Sequence, residues 1–159
     1  MPLRVRPSFP RDWEVTEDPK LWVTWVQADE KLAKEEVYWV STSSSDRGPH
    51  AVPVWGIWDG RRFYFETDPG SVKGRDLVGD PRVVVHLQDG KDTVIVEGIA
   101  ARFTKAKKME LLRQGYVAKY GYKPDWSDET RQVVFEVVPK VAHAWRVPRM
   151  HQSLVNFVF

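Results

Sequence analysis

Cysteine is absent from the 159-residue chain. That excludes disulfide staples, thiolate zinc sites, iron–sulfur clusters and cysteine nucleophiles. An excess of charge of one sign is lacking too. With 24 Lys plus Arg against 22 Asp plus Glu, the formal charge is +2, which makes no strong field toward nucleic acid or anionic membrane. No apolar run approaches the ~20 residues of a membrane span, and the opening MPLRVRPSFPRDWE holds no signal-peptide core. Catalytic signatures are missing as well: no GxSxG elbow, no GxxxxGKS/T loop, no GxGxxG after a strand and no HExxH. The 4 histidines are scattered, so a metal site would have to assemble from distant residues. His86 and His143 lie in apolar strands and read as hydrogen-bonded core histidines, and Glu97 is a lone carboxylate. A cytoplasmic protein is expected, with neither membrane nor nucleic acid as a partner.

What is present is one domain's worth of core-forming sequence, 42% hydrophobic and 29% charged. Its unusual feature is 8 tryptophans, Trp13, Trp22, Trp25, Trp39, Trp55, Trp58, Trp126 and Trp145. They fit either an aromatic core or a site for a flat ligand or an interface. Composition alone does not choose.

The pattern along the chain predicts a mostly antiparallel barrel with helices at its edges. Residues 1–17 read as an arm with little regular structure. Asp18-Pro19 is a helix start, and Leu21, Trp25, Ala28 and Leu32 form one stripe, predicting a helix to about Glu35. Strands are expected at Val37–Val40, His50–Trp58, Arg62–Thr67, Arg82–Leu87 and Thr93–Phe103. Asp59-Gly60 and Asp89-Gly90 supply hairpin turns. Ser71 caps a short helix ending near Val78, and a second amphipathic helix spans Lys105 to Tyr120. Two strands, Arg131–Val138 and Val141–Val147, close the domain.

Two neighbouring segments carry the functional signal. In His50–Trp58 an otherwise core-like strand contains Pro53 and Gly56, so its ladder is interrupted where a ligand or another backbone can approach; an ordinary edge strand with a bulge fits equally well. Just after the hairpin, Asp68-Pro69-Gly70 delivers Ser71 to a helix start, where free N–H groups and the dipole favour an anion. Lys73 and Arg75 add positive charge there.

Taken in order, Glu36–Thr42, Gly48–Gly56, Phe63–Thr67, Ser71–Leu77, Asp80–Val85, Val94–Gly98, Ala118–Gly121 and Pro139–Trp145 resemble the pyridoxamine 5'-phosphate oxidase-like split-barrel flavoproteins. The resemblance spans about residues 30 to 147. Its Pro-Val-Trp-Gly segment is most similar to the branch using the deazaflavin coenzyme F-420. It implies a mainly β (α+β) fold: a six-stranded antiparallel split β-barrel of Greek-key order, an FMN-binding split barrel with edge helices. The domain then covers 18–147 and a tail 148–159. It also implies a homodimer with two cofactor sites in the dimer groove.

By that resemblance, His50, Pro53, Val54 and Trp55 line the isoalloxazine-type ring, while Glu66 and Thr67 meet the ring edge and ribityl chain. Ser71 and Lys73 bind the phosphate with Arg75 close by, Thr93 offers a polar group across the dimer, and Trp145 covers the site from the partner subunit. The sequence departs from authentic pyridoxamine-phosphate oxidases at Val72, where they carry a second basic residue, and at Trp55, where they carry lysine. It also lacks their longer basic C-terminal segment. The implied activity is therefore hydride transfer between FMN or F-420 and a small unsaturated organic substrate, rather than oxidation of pyridoxamine phosphate. F-420 is slightly favoured, with Arg4, Arg6 or Arg11 available to its acidic tail. A non-catalytic flavin- or haem-binding split barrel is the alternative.

Overall fold

A computed structural model describes residues 1–13, 15 and 17–159. Its strands are β1 (Leu3–Val5), β2 (Tyr38–Ser44), β3 (Gly48–Val54), β4 (Gly56–Trp58), β5 (Phe63–Thr67), β6 (Arg82–Leu87), β7 (Asp92–Arg102), β8 (Val133–Arg146) and β9 (Val155–Val158). The helices are α1 (Trp25–Lys34), α2 (Val72–Gly79), α3 (Ala106–Tyr120) and α4 (Met150–Ser153). None of the described helices is long and apolar enough to cross a membrane.

All strand pairings are antiparallel, in the order β1-β9-β8-β7-β6-β2-β3, with β5 joining β8 and β4 joining β5. The predicted single strand His50–Trp58 breaks at Trp55. Its first part, β3, pairs with β2, and its second part, β4, pairs with β5. The sheet therefore curls round through one continuous piece of chain, yet β2 and β5 do not pair. This is the expected split barrel, its six strands being β2, β3 with β4 as one, β5, β6, β7 and β8, while β9 and β1 extend the sheet beyond β8. Proline at 53 is tolerated because β3 is an edge strand whose outer side needs no donor. Gly56 is required where the chain crosses: a Cβ there would lie 2.3 Å from Phe63 Cζ and 2.7 Å from the Tyr64 carbonyl oxygen.

Three sequence expectations need correction. The first helix begins at Trp25, not at Asp18-Pro19, because Thr24 and Gln27 form a reciprocal capping box. The Asp18 carbonyl instead accepts from Leu21 N–H in a turn. The two closing strands are one, β8, since a bulge at Lys140, opposite Glu97 and Gly98 of β7, takes up the Pro139-Lys140 step without ending the ladder. The arm is not without regular structure either, and the tail adds a strand. Strand β9 pairs with the second half of β8, and β1 pairs with β9.

The core fills the barrel with Tyr38, Phe63, Phe65, Phe135 and Phe157, capped by Ala28 and Leu32 of α1. Trp58 is buried there and its indole N–H donates to Asp29 of α1 at 2.7 Å, which makes it a packing residue. A smaller cluster of Tyr64, Phe103, Leu112, Tyr116, Trp126 and Val134 sits under α3.

Candidate functional site

Local chemistry builds the turn between β5 and α2. Asp68 carboxylate accepts from Gly70 N–H at 2.6 Å, and its carbonyl accepts from Ser71 N–H at 3.0 Å. Ser71 takes the N-cap position, its hydroxyl accepting from Gly74 N–H at 3.1 Å and lying 3.0 Å from the Thr67 hydroxyl. Gly74 permits this close approach, since a Cβ there would stand 2.6 Å from the Asp68 carbonyl oxygen. Among the described residues, nothing within the chain accepts from the N–H groups of Val72 and Lys73. Two backbone donors, two hydroxyls and the positive end of α2 thus converge on one place, which is chemistry able to hold an anion.

Lys73 is half-buried beside this turn with no hydrogen bond or ion pair to its ammonium among the described residues. Burial holds its pKa below the ordinary lysine value, with Asp68 opposing weakly. Arg75 is not a free charge. Its guanidinium donates to the Gly70 carbonyl and braces the turn from outside.

A buried contact fixes this turn against the broken strand. Asp76 of α2 is 2% exposed, and its carboxylate accepts from the Thr42 hydroxyl at 2.8 Å and pairs with the Arg47 guanidinium. Thr42 stands directly across from His50 in the β2–β3 pair. The sequence offered no sign of Arg47, which lies within a polar turn cluster. Its role appears only once the hairpin is folded over α2.

The expected ring strand is arranged as follows. Pro53 and Trp55 are exposed while Val54 points into the core, so Val54 offers only its backbone outward. Trp55 is 46% exposed and stacks on Tyr120 with centroids 4.7 Å apart and planes 6° apart. Its carbonyl accepts from Tyr116 at 3.2 Å, and Lys119 donates to the Gly56 carbonyl and to the Tyr38 hydroxyl. Burial lowers the Lys119 pKa to about 8. These α3 residues tie the helix to the strand break; Ala118–Gly121 entered the sequence reading only as part of the family resemblance.

Not all the expected site residues meet. Thr67, Ser71 and Lys73 converge. Glu66 turns to the opposite face of β5, where it accepts from Trp126 Nε1 at 2.5 Å, and burial raises its pKa. Thr93 is buried, its hydroxyl donating to the Gly90 carbonyl at 2.9 Å, and it stands across from Trp145. Thr93 on β7 is three strands from β3 in the sheet, on the order of 14 Å away at the usual spacing, and Trp145 on β8 is one strand further. Within one chain neither reaches the turn.

The family model described as pyridoxamine 5'-phosphate oxidase matches residues 25–146. No curated protein matches. Solved structures match across most of the chain. A Clostridium acetobutylicum protein related to general stress protein 26 of B. subtilis (pyridoxinephosphate oxidase family) aligns at TM-score 0.64 and 15% identity, covering 85% of this chain and 94% of its own. An F420 reductase aligns at 0.55 and 22%, covering 71% and 94%. A haem-binding protein from Mycobacterium smegmatis aligns at 0.68 and 15%, covering 86% and 58%.

Proposed function

Since the chain belongs to the pyridoxamine 5'-phosphate oxidase family, we propose that it is an oxidoreductase that binds FMN or coenzyme F-420 and serves a small unsaturated organic substrate. The observation that carries this reading is the half-buried, unpaired Lys73 ammonium beside the capped start of α2. An ammonium drawn partly out of water without a direct ion pair is costly, and a bound phosphate offsets that cost. The donor set fits such a group: Thr67 and Ser71 hydroxyls, the Val72 and Lys73 N–H groups, and Lys73 itself. When bound, the cofactor accepts or delivers the hydride, and the protein supplies the platform and the anchor. Pro53 and Trp55 give a flat apolar wall along β3, and Asp76 with Arg47 sets its angle to the anchor.

A homodimer is part of the proposal. Trp39, Val84, His86, Ile95 and Ile99 lie half-buried on the outer sheet face, with Trp39 stacked on His86 at 6.2 Å. A second copy packed on that face would bring its own Thr93 and Trp145 toward the first copy's β3. The likeness to an F420 reductase supports a redox role, and that to a haem-binding protein keeps carriage as the second reading.

The test is reduction of an electrophilic acceptor such as menadione by the protein loaded with reduced cofactor. A rate well above that of free cofactor is expected. A rate equal to free cofactor, with binding intact, would leave a carrier in its place.

A further inference from the structure

A second cavity lies outside the proposed cofactor site, between the start of α3 and the chain entering β8. Its volume is about 320 Å³, at the lower end of the roughly 300–1,000 Å³ of small-ligand pockets. Phe103, Met109, Trp126 and Val134 form its apolar floor, and Phe103, Trp126 and Val134 are buried members of the smaller core. Four charged side chains line it. Arg113 is paired with Glu110 at 2.5 Å and lies over the Trp126 ring, so those two neutralise each other. Among the described residues, Arg102 and Glu129 have no partner. At the wall between them, Gln132 Oε1 is buried and accepts from nothing.

A buried amide oxygen without a donor costs about 1–3 kcal/mol, so water or a ligand must satisfy it. The cavity thus presents one free cation on β7, one free anion and one buried acceptor on the segment before β8, and an apolar floor between them. We infer that it binds a free α-amino acid with an apolar side chain. The ligand's carboxylate meets Arg102, its ammonium meets Gln132 Oε1 and Glu129, and its side chain lies on Phe103, Met109 and Trp126. An ammonium has three donors and matches two acceptors better than a neutral N–H does. The site is independent of what the α2 turn holds.

Isothermal titration of the full chain with L-phenylalanine tests this. Saturable binding below about 1 mM is expected, at least tenfold weaker for Arg102→Ala and for Gln132→Met. N-acetyl-L-phenylalanine, which has no ammonium, and phenethylamine, which has no carboxylate, are each expected to bind at least tenfold more weakly. Arg102 is exposed, so its removal leaves folding intact. Lys73→Ala should leave this binding unchanged. No saturable heat to 10 mM, or affinities within twofold across the variants and analogues, would overturn the inference.

Discussion

Two side chains carry charge where the surroundings oppose it, and each gives a measurable consequence. Lys73 must be protonated to hold a phosphate, and burial lowers its pKa, so its proton leaves at lower pH than an ordinary lysine's. Cofactor affinity should therefore fall as pH rises through that lowered value. The fall should be absent in Lys73→Met, whose affinity is low throughout. Fluorescence titrations at pH 7 and pH 10 measure this. Glu66 is the opposite case, a carboxyl whose pKa is raised by burial against the donors Trp126 and Tyr122. A raised carboxyl pKa means that ionisation disfavours the folded state. Stability from this group is therefore lost as pH climbs from its unfolded pKa through its folded one. Glu66→Gln keeps an acceptor for Trp126 and removes the ionisation. Its Tm relative to the parent should rise between pH 4 and pH 8, and a constant difference would contradict the placement of Glu66.

The element that matters most is α2, because it joins the anion turn to the broken strand. Asp76 is its buried anchor. Asp76→Ala orphans Thr42 and loses the Arg47 pair, and Arg47 is exposed enough for water to replace part of that loss. A cost of about 2–3 kcal/mol is expected, read by urea unfolding. Gly74→Ala is expected to keep the fold but open the turn, since the new Cβ would strike the Asp68 and Pro69 carbonyls. Cofactor affinity should drop at least tenfold with far-UV circular dichroism unchanged. Helix α2 and its Ser71 cap were legible in the sequence because a cap and a turn are local chemistry. The start of α1 was misread because Asp18-Pro19 and Thr24/Gln27 both signal a start, and only packing of Ala28 and Leu32 selects the second. Continuity of β8 was illegible for a related reason: Pro139 reads as a break unless the bulge beside it, at Lys140, is known.

For the whole molecule, the barrel could be read from hairpin order and its split from the family resemblance, but local pattern did not place the break at Trp55, which depends on Gly56 being pressed against Phe63. The tryptophans divide accordingly. Trp58 and Trp126 are structural, bonded to Asp29 and Glu66, whereas Trp55 is exposed at the end of β3 and half-buried Trp145 lies on β8, four strands from β3 in the sheet order. That separation is why the proposed site needs two copies, and sedimentation equilibrium should return twice the chain mass. The central claim, a flavin-type cofactor anchored at the start of α2, is tested most directly by titrating the purified full chain separately with FMN and with F-420, following cofactor absorbance and fluorescence. Saturable micromolar binding of at least one is expected, weakened at least tenfold by Lys73→Ala. Binding of neither at micromolar concentration, or binding that Lys73→Ala leaves unchanged, would contradict it.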